Sequence, residues 1–273
     1  MAMGQNAVTD DPVRTVSGGT HMAAKATSGV VVTGGASGIG RACALALAEQ
    51  GRPVAIWDLE DTRAKAVADE IASSTGAVTF GRGIDVTRTA DFAAAVVATR
   101  DAIGTIGGLV HAAGTVRAQS IGQLDEAGWD FVLNVNLRAF PLLVQALHPD
   151  LKATPGAAVV GIASIEAWVG NEAIPAYCAS KAGMLGAVRS MSHRLAPDDI
   201  RVNAICPGFI ETPMLAPSLA APGVREEFSS ASPMNRIGLP SEIGEPAAFL
   251  LSPAASFITG QSLIVDGGVL AIV

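Results

Sequence analysis

Aromatic side chains are scarce in this chain: 8 Phe, 3 Trp and a single Tyr amount to 4% of 273 residues. Positive charge is in deficit too, with 18 Lys and Arg against 25 Asp and Glu and a formal net charge of −7. Nucleic-acid surfaces need basic patches interleaved with aromatic rings, and no such patch exists, so nucleic acid is not an expected partner. The three cysteines, Cys43, Cys178 and Cys206, are odd in number and widely spaced. That spacing excludes a disulfide framework and a cysteine-rich metal cluster, and a reducing cytoplasm is the natural reading. No uninterrupted apolar run reaches the roughly 18 residues of a membrane span.

Residues 1–20 are polar and rich in Gly, Thr and Asp, without the apolar core of a secretory signal. His21 and Met22 read as a cloning junction with a natural start at Met22. Residues 1–24 are therefore read as a tag or loose arm, outside the fold.

Small and aliphatic residues are abundant. Hydrophobic residues make up 49% and charged residues 16%, with 30 glycines. This composition suits close packing of helices on a sheet whose strands are buried on both faces.

Val30, Val31 and Val32 run into Thr33, Gly34, Gly35, Ala36, Ser37, Gly38, Ile39 and Gly40, after which Ala42, Cys43, Ala46 and Leu47 recur at helical spacing. The pattern is strand, glycine turn, helix. Glycines admit positive φ and close backbone approach, and the helix N-terminus suits a pyrophosphate. An ordinary βα turn has the same outline, so this stretch alone decides nothing.

Further strands are read at residues 53–58, 77–84, 108–112, 157–164, 200–206 and 261–265. Helical segments lie between them, at 62–73, 89–103, 126–151, a stretch running through Tyr177 to about 195, and 241–251. Pro141, inside the long apolar helical stretch, is expected to bend it or end a turn. Residues 209–239, rich in proline, read as a lid or binding loop. Strict β/α alternation with apolar strands implies one domain over residues 25–273. The fold class is α/β, a Rossmann-type doubly wound seven-stranded parallel sheet with helices on both faces.

Asp58 closes the second strand 18 residues after Gly40. It either accepts the adenosine ribose hydroxyls or caps the next helix. Leu59 follows it, and no basic residue stands in the glycine turn or directly after Asp58, which favours NAD over NADP. Asp85, followed by Val86, either accepts from the adenine amino group or caps a helix. Ala113 and Gly114 after the fourth strand are small enough to lie against adenosine. His111, inside a buried strand, reads as structural.

Tyr177 and Lys181 stand four apart on one helix face. A neighbouring ammonium favours the phenolate of a tyrosine whose ordinary pKa is near 10; a surface Tyr–Lys pair is the plain alternative. Ser164, 13 residues before Tyr177, ends a strand where doubly wound folds bind ligands. Its hydroxyl can hold a substrate oxygen or cap a turn.

Taken in order, Thr33-Gly34-xxx-Gly38-x-Gly40, Asp85, Asn136, Ser164, Tyr177-xxx-Lys181 and Pro207-Gly208 resemble the short-chain dehydrogenase/reductase family over residues 27–270. The resemblance implies Tyr177 as general acid–base and Lys181 as its activator, also bonded to the nicotinamide ribose. Ser164 would polarise the substrate oxygen, and Asn136 would hold a water that links Lys181 to solvent. Asn134 competes with Asn136 but lies two residues early. Pro207 and Gly208 would line the nicotinamide, with the Ile210 backbone on its carboxamide, and Thr212 would reach the carboxamide or the pyrophosphate. With Gly34, Ser37, Gly38, Ile39 and Gly40 on the pyrophosphate, the implied function is NAD-dependent hydride transfer with a secondary alcohol or ketone.

The sequence departs from the family's usual Asn-Asn-Ala-Gly after strand four, carrying His111, Ala112, Ala113 and Gly114. Glu166, Trp168 and Asn171 lie where relatives border the substrate. Glu166 and Asn171 suit a hydroxylated substrate, or Glu166 caps the Tyr177 helix or meets a neighbouring subunit. Cys178 reads as packing with no base positioned to activate it, and Trp57 and Trp129 read as packing. An NADPH-dependent 3-oxoacyl reductase and a non-catalytic dinucleotide-binding regulator are the competing functions. The family also implies a homotetramer, and the apolar residues 269–273 suit either an interface or their own subunit.

Overall fold

The computed structural model describes residues 27–272; the expected arm at residues 1–24 lies outside them. Seven strands form a wholly parallel sheet: β1 Gly29–Thr33, β2 Val54–Asp58, β3 Thr79–Gly83, β4 Ile106–His111, β5 Ala158–Ile162, β6 Arg201–Pro207 and β7 Ser262–Val265. Their order is β3-β2-β1-β4-β5-β6-β7. The chain thus winds outward from β1 in one direction, then restarts at β4 in the other. The crevice at such a reversal, beyond the strand carboxyl ends, is where doubly wound sheets bind ligands.

The helices are α1 Gly38–Glu49, α2 Asp61–Thr75, α3 Phe92–Ile103, α4 Glu126–Leu133, α5 Ala139–Ala153, α6 Pro175–Leu195, α7 Ala216–Leu219, α8 Val224–Ser230 and α9 Ser241–Leu250. Strand alternation divides the core in two. Val30 and Val32 pack with Leu47, Ile71 and Ala247, under α1, α2 and α9. Val31 faces the other way, with Phe140, Leu143, Leu147 and Met184, under α5 and α6. Trp57 is buried in that second layer and donates its Nε1–H to Thr99 Oγ1 at 3.0 Å, as a packing residue should.

Several limits differ from the sequence reading. The third strand shortens to Thr79–Gly83, and the fifth stops at Ile162, leaving Ser164 in the turn beyond it. The long helical stretch is three pieces, because residues Asn134–Arg138 form a π turn between α4 and α5. Pro141 has no N–H for the Leu137 carbonyl, and the helix widens directly upstream rather than bending at the proline. Residues 209–239 are not bare loop but contain α7 and α8.

Two buried arginines secure the end of α9, whose last carbonyls lack helical partners. Arg52 donates to Leu251 O at 3.0 Å, and Arg201 donates to Leu250 O at 2.7 Å and to Ser252 O at 3.1 Å. Burial, then the charge of Arg201, lowers the Arg52 pKa to about 10.

Leu147 is fully buried in the layer beneath α5. Replacing it with alanine is expected to cost about 2–5 kcal/mol, read as a lower urea midpoint. A loss below about 1 kcal/mol would show that this layer can collapse into the space.

Candidate active site

The site starts at the glycine turn between β1 and α1. Gly34 has φ +64° and Gly38 φ +49°, both in the left-handed region that favours glycine. Gly34 touches the opposite wall as well, since a Cβ there would lie 2.8 Å from the Ala113 nitrogen. Ser37 occupies the N-cap of α1 without a side-chain cap bond. The first helical bond at this end runs from Arg41 N–H to Ser37 O at 3.0 Å. The N–H groups of Gly38, Ile39 and Gly40 lie ahead of it, at the positive end of the helix dipole.

Asp58 ends β2 with 6% exposure. One oxygen accepts from Ala36 N–H at 3.0 Å and the other from the Arg63 guanidinium at 2.8 Å. Glu60, not Asp58, sits at the N-cap of α2, so the capping alternative is excluded. Leu59 does follow Asp58 as the sequence reading has it, but a cation arrives from farther along: α2 begins at Asp61 and turns Arg63 back onto Asp58. Asp85 accepts from Thr87 N–H at 2.9 Å and Thr87 Oγ1 at 2.7 Å, closing its own turn rather than capping a helix.

The β4 end is tied to β1. Ala113 N–H donates to Thr33 Oγ1 at 3.2 Å, which leaves the Thr33 hydrogen for His111 Nδ1 at 2.9 Å. His111 is fully buried and stacks on Phe140. Burial, then the charge of Lys181, pushes it down to about 3. It is neutral at ordinary pH, as a structural histidine.

Asn136 is fully buried in the π turn. Its Oδ1 accepts from Thr115 N–H at 2.8 Å, and its Nδ2 donates to Thr115 O at 2.9 Å and to Ser180 Oγ at 3.0 Å. Ser180 Oγ donates in turn to Tyr177 O at 2.7 Å. The Asn136 amide is thus engaged with protein and lies behind the cavity wall, whereas Asn134 and Val135 line the cavity. Asn136 and Ser180 together brace the helix that carries Tyr177.

Ser164 Oγ accepts from Glu166 N–H at 3.2 Å, capping the short turn Ile165–Ala167. Its own hydrogen remains to donate. Tyr177 and Lys181 share the face of α6 turned to the cavity. Burial pushes the Tyr177 phenol up to about 12, opposed by its hydrogen bond with Ser164, while Glu166 and Cys178 raise it further. Lys181 Nζ donates to Ile162 O at 2.7 Å and lies 5.4 Å from the centre of the Tyr177 ring. Burial lowers its pKa to about 8. Desolvation of the phenol is the largest influence on Tyr177, and the Lys181 ammonium is directed at a backbone carbonyl.

One cavity of about 850 Å³ joins these parts. Gly34, Ser37, Gly38, Ile39, Gly40, Asp58, Leu59, Asp85, Val86, Ala113 and Gly114 line it. So do Ser164, Glu166, Asn171, Tyr177, Lys181, Pro207, Gly208, Ile210 and Thr212. Apart from Asn136, every candidate site residue therefore meets in one space. A dinucleotide fits the donor set: free amide hydrogens at a helix N-terminus, a carboxylate beyond β2, and small residues between.

Glu166 does not cap α6, whose N-cap is Ile174. Cys178 Sγ lies 3.7 Å from Glu166 Oε2, so a carboxylate does face the thiol. Burial first, then that negative charge, raises the thiol pKa. Cys178 therefore remains an unreactive packing residue.

The segment 209–239 is tied together by a Phe209–Phe228 stack with ring centres 4.2 Å apart and an Arg225–Glu211 pair at 2.7 Å. Its base is held by Gly267 O, which accepts from Ser232 Oγ at 2.9 Å and Met234 N–H at 3.3 Å.

Residues 34–270 match the family model described as enoyl-(acyl carrier protein) reductase. The 2-(S)-hydroxypropyl-CoM dehydrogenase 3 of Xanthobacter autotrophicus is 35% identical, over 89% of this chain and 96% of its own. The chain belongs to the short-chain dehydrogenase/reductase family. Another relative of this short-chain dehydrogenase/reductase is the 3-oxoacyl-[acyl-carrier-protein] reductase FabG of Chlamydia trachomatis, 36% identical over 87% of this chain and 95% of that one. A Beutenbergia cavernae protein assigned as an NAD(P)-dependent gluconate 5-dehydrogenase, solved with NADP at low occupancy, superposes with a TM-score of 0.83. It is 34% identical over 89% of this chain and 97% of that chain. This short-chain dehydrogenase/reductase is accordingly an NAD(P)-dependent oxidoreductase acting on CH–OH groups.

Sequence reasoning missed Arg63, Thr115 and Ser180 as parts of the site. Only Ser180, one residue before Lys181, stood within a recognised motif.

With the Tyr177 phenol near 12, its proton is held at neutral pH. Alcohol oxidation, which needs the phenolate, is expected to accelerate steadily from pH 7 to pH 10. Ketone reduction, which needs the phenol, should not. Neutral His111 adds no step near pH 6–7. Tyr177→Phe is expected to lower kcat about 10²–10⁴-fold in both directions, checked by following NADH absorbance.

Proposed function

We propose that this protein is an NAD-dependent dehydrogenase of secondary alcohols, or reductase of the matching ketones, in which Tyr177 exchanges the substrate proton. The observation that carries the reading is the junction of Ser164, Tyr177 and Lys181 with the α1 N-terminus and Asp58 in one cavity. NAD, when bound, takes up or returns the hydride at its nicotinamide ring.

The chain's own groups do the rest. Gly38, Ile39 and Gly40 donate amide hydrogens to the pyrophosphate, with Ser37 and Gly34 beside them. Asp58 accepts from the adenosine ribose, with Leu59 at the rim. Asp85, Val86, Ala113 and Gly114 enclose adenine and its ribose. Pro207, Gly208, Ile210 and Thr212 fix the nicotinamide end. The Ser164 hydroxyl donates to the substrate oxygen. In oxidation, Tyr177 Oη takes the hydroxyl proton as the carbinol hydrogen leaves as hydride. In reduction the same oxygen returns it. Lys181 stands beside Tyr177 on the same helix face as a hydrogen-bond donor, and Asn136 and Ser180 hold α6 in place for that exchange.

Arg63 bears on the choice of dinucleotide. The inner position of Asp58 favours a ribose with two free hydroxyls, whereas Arg63 offsets part of the carboxylate's repulsion of a 2′-phosphate. Together these two groups support a moderate preference for NAD. A Chlamydia trachomatis relative named as a 3-oxoacyl reductase supports the acyl-reductase alternative.

Self-association as a homotetramer is part of the proposal. β7 is an edge strand with Leu263 and Ile264 exposed, and a second copy covering it would remove that apolar surface from water. Light scattering is expected to return four chains per particle. The cytoplasm fits the three unpaired cysteines. Among the described residues no helix is long and apolar enough to cross a membrane.

Turnover with NAD is expected to exceed turnover with NADP. Arg63→Ala should widen the gap about two- to fivefold, the scale of a partly exposed ion pair. Initial rates with both dinucleotides check this, and a wild-type preference for NADP would defeat the Asp58 argument.

A further inference from the structure

The cavity wall carries one carboxylate that hydride transfer does not use. Asp58 and Asp85 belong to the β2–β3 end of the cavity, but Glu166 lies beyond β5, two residues from Ser164. Its position is fixed from two sides. Oε1 accepts from Asn171 Nδ2 at 3.1 Å, and Cys178 Sγ stands 3.7 Å from Oε2. The Asn171 amide is itself oriented, because its Oδ1 accepts from Ala173 N–H at 3.1 Å. Among the described residues no Lys, Arg or His pairs with Glu166.

A carboxylate has about four acceptor positions, and the two neighbours occupy two of them. Glu166 lines the same cavity as Ser164 and Tyr177, and the remaining lone pairs are left for a ligand there. Apolar groups also line that cavity, among them Phe131, Phe209, Met214 and Phe228. A ligand of hydrocarbon alone would desolvate Glu166 without giving it a partner, which is costly for an ion. A ligand with a second hydroxyl beside its reacting carbon supplies the missing donor.

We propose that Glu166, oriented by Asn171 and Cys178, is a specificity-determining residue that accepts a hydrogen bond from a hydroxyl next to the reacting carbinol, making vicinal diols and polyols the substrate class. This rests on the hydride-transfer function proposed above. The negative charge of Glu166 is also one of the causes that hold the Tyr177 phenol high. Its neutralisation therefore acts on proton exchange as well as on substrate choice.

The experiment uses the full chain, NAD and three matched alcohols: 1,2-propanediol, 2-butanol and 1-amino-2-propanol. The first two differ only by a hydroxyl in place of a methyl group. The wild type is expected to show kcat/KM for the diol about tenfold or more above that for 2-butanol, the low end of what a hydrogen bond to a charged group contributes. Glu166→Ala should bring the ratio to within about threefold of one. Asn171→Ala, which keeps the carboxylate but frees it, should give an intermediate ratio. Glu166→Gln should move the alkaline rise of 2-butanol oxidation to lower pH, a change that a purely structural role would not produce.

A diol-to-butanol ratio that is near one in the wild type, or that survives in Glu166→Ala, overturns the assignment. A preference for the amino alcohol over the diol overturns it in favour of an ammonium site. Turnover of 2-butanol without diol preference defeats only the role of Glu166. NADH binding, seen by fluorescence, with no turnover of any alcohol or of acetoin defeats the hydride-transfer function itself.

Discussion

A methyl group cannot stand at position 40. A Cβ there would lie 2.1 Å from the Gly34 carbonyl oxygen, closer than any side chain tolerates. This contact lets α1 start immediately above the end of β1, with its first amide hydrogens over the reversal in the sheet. Gly34 adds a second close approach, to Ala113 across the gap, so the β1 and β4 ends meet at one point. The cavity exists because backbone replaces side chain at those positions.

Around that cradle the reacting groups are held by polar contacts within the fold. Thr33 links the β1 end to Ala113 and His111. Asn136 joins the π turn to Thr115 and Ser180, and Ser180 to the helix of Tyr177. Burial gives these bonds their value, since a buried polar group without a partner costs free energy. Burial also pulls the two ionisable partners toward their neutral forms, with Tyr177 raised and Lys181 lowered.

Much of this was legible in the sequence because it depends on local spacing. Gly34, Gly38 and Gly40 announce the turn, the Val30–Val32 run announces a strand buried on both faces, and Tyr177 and Lys181 fall on one face by helical period alone. Features set by tertiary register were not legible. Arg63 reaches Asp58 only because α2 starts at Asp61. The Asn136 amide is taken up by Thr115, 21 residues away. Nothing local to Lys181 foretells that its ammonium meets Ile162 O. The Cys178–Glu166 approach needs the turn after β5 folded against α6. The π turn is an intermediate case: Pro141 marked the helix as irregular, but the irregularity lies ahead of the proline, where the helix can widen without losing its direction.

The carbonyl of Gly267 receives both Ser232 and Met234. Those residues lie near the end of the segment 209–239, while Gly267 follows the outermost strand of the sheet. Residues 209–239 are therefore anchored near their end to the edge of the sheet. A substitution that loosened that edge would also loosen the part of the cavity wall that Phe209 and Phe228 form.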